Sequence, residues 1–137
     1  MHDIISTHIS YDEATTSPTA LRLGIDNTPD NYKLNRMRLV AETCFEPLRE
    51  WYGKPIKVNS FYRCRELNAA VKGSLTSQHI LGEAIDLSAG SKAENKKLFD
   101  WCKENLQYTQ LIWEYGGAWV HISYNLNNIK NQTLEIG

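Results

Sequence analysis

Hydrophobic residues recur along the chain with two different periods. From Leu34 through Met37, Ala41, Cys44, Leu48 and Trp51 they return every three or four positions, which is one face of a long helix ending at Gly53. Pro47 lies inside that run and predicts a kink or a split. Leu98, Trp101, Cys102 and Leu106 repeat the pattern behind "SKAE" at 91–94, whose Ser-x-x-Glu spacing is a capping box. The same spacing from Ser10 to Glu13 opens a short helix, and "CRELNAAVKG" reads as another, stopped by Gly73. Elsewhere the period falls to two. "KPIKVNSF" alternates Ile56 with Val58, and "EAIDLS" alternates Ile85 with Leu87. "TQLIWEY" and "AWVHISY" flank Gly116-Gly117, the signal of a two-residue hairpin turn. "LGIDNTPDN" at 23–31 is loop, and "NNIKNQTLEIG" adds an edge strand. The sum is one α+β domain over residues 1–137, with a small, mainly antiparallel sheet and flanking helices.

Composition narrows the function classes. The chain is 42% hydrophobic and 23% charged, as an ordinary globular protein is. Its formal net charge of −1, with no basic cluster longer than Lys96-Lys97, gives no pull toward nucleic acid. No apolar run is long enough to span a bilayer, and "MHDIISTHIS" is not a basic-then-apolar leader, so neither membrane insertion nor a secretory signal is expected. The three cysteines, Cys44, Cys64 and Cys102, form no C-x-x-C, which removes a thiolate zinc site and a disulfide framework. Cys44 and Cys102 fall on apolar helix faces and read as buried.

The polar residues inside the strands change the picture most. In "EAIDLS", Asp86 shares a face with Ala84 and Ser88, while Ile85 and Leu87 point to the core. In "AWVHIS", His121 shares a face with Trp119 and Ser123. His79 enters from the turn before the first of these strands. His2 and His8 lie near the N-terminus without an evident polar constellation. Two histidines and one carboxylate form a recurrent ligand set for a catalytic zinc, with the fourth position left to water. A divalent cation would explain a carboxylate between two core residues. The alternatives at this point are a simple Asp86–His pair, or backbone amides near Gly82 bonded to Asp86.

"SQHILGEAID" followed by "WVHISY" resembles the S-x-H-x-x-G-x-A-x-D and W-x-H signatures of the D-alanyl-D-alanine carboxypeptidase and L-alanyl-D-glutamate endopeptidase family, zinc peptidases of bacterial walls and phage endolysins with a hedgehog-like fold. "VNSFYRCRELNAAVKG" resembles the S-G-Y-R-S-x-x-L-N segment that precedes the zinc motif. "SPTALRLGIDNTP" and "CFEPLREWYGKPI" are similar to the family's small phage-associated branch. The resemblance implies that zinc is bound by His79, Asp86 and His121. It implies that Arg63 contacts the substrate or the developing oxyanion, and that Ser77 sits beside the metal site. Ser77, Tyr62 and Trp119 are the substrate-binding candidates. Phe61 stands where the family has glycine, which suggests a narrowed cleft.

Arg63 has a physical case of its own, since a guanidinium fork holds a carboxylate bidentately; the alternative is an ion pair with Glu66. Trp113, Tyr115 and Trp119 either line a groove or pack across the hairpin. Glu114 is the candidate general base. The family supplies an acidic residue before its last histidine, and a turn at Gly116-Gly117 would pair Glu114 with Trp119 and Ile112 with His121, placing Glu114 on the histidine's face. A solvent-exposed glutamate at the hairpin tip is the alternative.

The leading expectation is therefore a zinc metallopeptidase cleaving peptidoglycan stem peptides, with a peptide partner, no nucleic acid, and a monomeric state. Without a leader, such a chain would be made in the cytoplasm and reach the wall during phage or prophage lysis. One rival is a non-catalytic zinc-containing module that binds a wall peptide or a protein. Another is a serine hydrolase using Ser77, His79 and Asp86, which lacks a G-x-S-x-G elbow.

Overall fold

The computed structural model describes residues 4–137, so His2 lies outside it. The described residues open with a small antiparallel hairpin, β1 (Ile4–Ser6) and β2 (Ile9–Ser10), which has too few residues for the pattern to reveal. Its connecting turn brings His8 to Glu46. The glutamate accepts from the Ser6 hydroxyl at 2.6 Å and the His8 amide at 2.8 Å, and pairs with His8 Nδ1 at 2.6 Å. His8 therefore has a polar partner that the sequence did not disclose, because Glu46 lies 38 residues away.

Ser10 caps α1 (Tyr11–Thr15), accepting from the Glu13 amide as the capping-box spacing requires. Next comes α2 (Pro18–Leu23), a helix the pattern missed. Ser17 caps it, Pro18 fills its first turn and Gly24 ends it in the left-handed conformation. Asp30 then caps α3 (Asn31–Val40). The long helical run continues through one wide π turn at Ala41–Phe45 into α4 (Glu46–Tyr52), which stops at Gly53. The wide turn sits where Pro47 lacks an N–H and its ring would meet the carbonyl of the preceding turn. Pro47 thus widens the helix without breaking it. Met37, Val40, Ala41, Cys44 and Leu48 on this run are all fully buried.

β3 (Lys57–Ser60), α5 (Arg65–Ala70), β4 (Ala84–Ser88), α6 (Lys92–Asn105), β5 (Gln110–Glu114), β6 (Trp119–Ser123) and β7 (Gln132–Ile136) complete the order. The larger sheet runs β3-β4-β6-β5-β7; only β5 and β7 are parallel neighbours. Ile85, Leu87, Leu111, Val120 and Ile122 point from one face into a core shared with Leu34, Met37, Leu48, Leu98 and Cys102. Burying each such side chain contributes about 1.5–3 kcal/mol. The thiol of Cys44 is pushed up to about 12 by burial, so it behaves as a small hydrophobe. Trp113 is on this core side too, edge-on to Phe99 at 5.6 Å, and so does not serve the opposite face.

That opposite face needs the turn before β4 to come close to α3. Gly82, with φ +75°, lies so near that an added Cβ would stand 2.8 Å from the Lys33 carbonyl oxygen and 2.9 Å from Met37 Cγ. Gly82→Ala should cost about 2–4 kcal/mol, through left-handed strain plus backbone overlap. Gly24→Ala, also at positive φ but in open space, should cost about 1 kcal/mol or less. Urea midpoints of the two variants check this; equal shifts would mean that close approach at Gly82 is unimportant.

Candidate metal centre

Strand register assembles the site. Asp86 pairs with His121 across β4 and β6, and Ile112 pairs with His121 across β6 and β5. Asp86 and His121 therefore share the non-core face. The turn at 77–82 carries His79 in beside them: its amide donates to Ser77 Oγ, and its carbonyl accepts from the Gly82 and Arg63 amides. His79 Nε2 lies 3.1 Å from one Asp86 oxygen, and His121 Nδ1 lies 3.0 Å from the other. All three residues are buried, and their ligand atoms lie within 4.8 Å of one another.

The outer ring nitrogens decide what these inner atoms can do. His79 Nδ1 is 2.7 Å from the Phe61 carbonyl, and His121 Nε2 is 3.0 Å from Gln78 Oε1. Both oxygens only accept, so both outer nitrogens carry protons. His79 Nε2 and His121 Nδ1 are left facing a carboxylate, which also only accepts. Each contact is filled either by a second ring proton or by a cation shared among the three. One divalent ion replaces two protons with no change in site charge. Ligand atoms of a tetrahedral zinc are about 3.3 Å apart, near the observed contacts. The residues fit the metal. Burial opposes ionisation of Asp86, but the two histidines outweigh it and hold the carboxyl well below the usual carboxylate range. No backbone amide near Gly82 takes part, which removes that alternative.

The other candidates divide. Arg63, Ser77, Glu114, Tyr115 and Trp119 line the same cleft of about 670 Å³. Arg63 donates from Nη2 to Ser77 Oγ at 3.2 Å and, among the described residues, has no carboxylate within ion-pair distance, Glu66 included. Burial lowers its pKa while Asp86 and Glu114 act in the other direction. Ser77 Oγ bonds to Arg63 and a backbone amide, not to an imidazole, so no serine triad is assembled.

Glu114 pairs with Trp119 across the hairpin and accepts from its Nε1 at 2.9 Å. Its Oε2 lies 3.9 Å from His121 Nδ1. The expected parity holds although the turn is wider than expected: Tyr115 and Ala118 are unpaired, and Tyr115, Gly116 and Gly117 all take positive φ. Lengthening by two residues leaves the faces unchanged.

Two expectations fail. Tyr62 does not line the cleft; it is 5% exposed and packs in the core. Phe61 does not narrow the cleft either, because its side chain is 1% exposed in that core, and only its carbonyl serves the site. Both expectations came from the motif resemblance, which does not say which way a side chain faces; the strand before them is irregular between Val58 and Ser60.

Two residues were missed. Gln78 orients His121. Asn27 holds the Arg63 segment, donating to the Thr15 and Tyr62 carbonyls at 2.8 and 3.0 Å and accepting from the Cys64 amide at 2.7 Å. Isolated amides have no periodicity, and only the adjacency of Gln78 to His79 could have flagged one of them.

The peptidase M15 family model matches residues 7–123, which includes every residue of this cleft up to His121. The chain belongs to the peptidase M15 family. It is thereby a zinc metallopeptidase, and the buried His79, Asp86 and His121 are a group able to hold that ion. No curated protein matches the chain. No helix among the described residues of the M15 peptidase is long and apolar enough to cross a membrane.

Gln78→Leu in the M15 peptidase should weaken zinc binding about 10–100-fold, because the His121 ring loses its outer acceptor. Competition with a chromophoric chelator measures it. Unchanged affinity would mean that packing alone orients the ring.

Proposed function

We propose that the protein hydrolyses peptide bonds in peptidoglycan stem peptides, with His79, Asp86 and His121 as zinc ligands and Glu114 as general base. The observation that carries the catalytic part is Glu114 Oε2 at 3.9 Å from His121 Nδ1, on the ligands' own face. Zinc bound there supplies Lewis acidity to a carbonyl oxygen and acidifies a water. Glu114 accepts the proton of the attacking water and returns it to the leaving amine. Trp119 Nε1 fixes the carboxylate's direction. Arg63, steadied by Ser77, offers its remaining N–H groups to a substrate carboxylate or to the negative charge that develops at the scissile carbonyl. Trp119 and Tyr115, with rings 4.9 Å apart, form an aromatic wall for the peptide. The wall substrate and the lytic, phage-type role rest on the motif resemblance together with the family.

Digestion of purified peptidoglycan, followed by mass spectrometry of the products, tests this reading. Release of D-alanine identifies a carboxypeptidase, and cleavage after L-alanine an endopeptidase; an undigested wall contradicts the proposal. Glu114→Gln should keep full zinc content and lose activity about a hundredfold or more. A glutamine variant with the wild-type rate would place the base elsewhere. Arg63→Lys keeps the charge and loses the planar fork, so kcat/KM should fall about tenfold or more with zinc retained. Wild-type efficiency in that variant would return Arg63 to a structural role.

A further inference from the structure

The cleft is charged against the trend of the chain. The whole sequence has 15 basic and 16 acidic residues, a net −1. Among the described residues the cleft lining has three cations, Arg63, Lys72 and Lys130, against two carboxylates, Asp86 and Glu114, a net of +1. A divalent ion at the histidines raises this to +3. Only Arg63 is accounted for by the catalytic reading.

Lys72 and Lys130 come from segments far apart in sequence, the turn that follows α5 and the connection from β6 to β7. Both backbones are pinned. The Lys72 amide donates to the Ala69 carbonyl at 3.1 Å, and the next amide, of Gly73, donates to the Asn68 carbonyl at 2.8 Å. Beside Lys130, Asn131 donates from its amide to the Tyr108 carbonyl at 2.8 Å and accepts from the Tyr108 amide at 3.0 Å. The side chains, by contrast, are uncommitted. Both residues are exposed, and among the described residues neither ammonium has a hydrogen-bond or ion-pair partner. Lys54 and Lys97 pair with Glu94, and Lys96 with Asp100; exposed Lys57, Lys92 and Lys103 are uncommitted too, but they do not line this cleft. Among the described residues, the carboxylates that line the cleft are both engaged, Asp86 with the two histidines and Glu114 with Trp119. In addition, Arg63 Nε is buried and has no partner among the described residues.

We propose that Lys72 and Lys130 form an anion-recognising rim, so that the preferred substrate is a peptide with free carboxylates beyond the one Arg63 can hold. This rests on the peptidase reading and deepens it: the enzyme distinguishes acidic stem peptides from the same peptides with carboxamides in place of carboxylates. Fixed positive charge around a cleft draws anionic ligands in and favours them once bound. The cleft volume of about 670 Å³ is in the range that encloses a short peptide.

The test uses two synthetic stem peptides that differ in one group, a glutamyl carboxylate free or converted to the carboxamide. The kcat/KM ratio, acid over amide, is measured for the zinc-loaded wild type and for Lys72→Gln/Lys130→Gln. The wild type should favour the acid roughly tenfold at low salt, with the ratio shrinking as salt rises, and the double variant should fall below about twofold. A wild-type ratio near one, or a ratio that survives both substitutions, overturns the rim. So does a double variant that loses both peptides equally, since that would be a structural effect. Calorimetric binding of the same two peptides to the zinc-loaded Glu114→Gln protein separates the claims. If neither peptide is cleaved, the peptidase reading fails, while a tenfold binding preference for the acid still supports the rim and equal affinities overturn it.

Discussion

Everything at this site depends on one carboxylate held between two imidazoles. Asp86 is 8% exposed, and an ionised carboxylate in that position is unfavourable without compensation. Compensation comes from His79 and His121, and each needs a backbone arrangement of its own. The β4–β6 register sets Asp86 opposite His121. The tight turn at Gly82 brings His79 in from outside the sheet. The outer ring nitrogens must then be tied to acceptor oxygens, the Phe61 carbonyl and Gln78 Oε1, so that the inner nitrogens converge. Each requirement is local, and all meet at the two oxygens of Asp86.

The sheet divides its labour by parity. Odd positions of β4 and even positions of β6, Ile85, Leu87, Val120 and Ile122, make the core with the helices. The intervening positions carry Asp86, Trp119 and His121 toward the cleft. β5 adds Ile112 and Glu114 on the same side. Stability and chemistry thus use opposite faces of the same three strands, and a one-residue slip in any of them would exchange core for site.

This division explains what the sequence disclosed. Alternation in "EAIDLS" and "AWVHIS" named the face of Asp86 and His121, and hairpin parity placed Glu114, because both are consequences of a fixed period of two. The helix at Pro18–Leu23 was missed because six residues are too few for a helical period to emerge. Tyr62 and Phe61 were misplaced because the motif resemblance names positions and not the way a side chain faces; both turn into the core. Glu46, Gln78 and Asn27 were invisible for another reason. Their roles depend on contacts across 38, 43 and up to 37 residues, and no local pattern encodes a single long-range hydrogen bond.

The central claim is that one zinc sits among His79, Asp86 and His121. Anomalous diffraction at the zinc edge from crystals of the metal-loaded protein tests it most directly. The account expects one peak per chain, about 2.0–2.1 Å from His79 Nε2 and His121 Nδ1, with an Asp86 oxygen completing the protein ligands. A peak elsewhere, such as between His8 and Glu46, or no peak in a fully active enzyme, would contradict it.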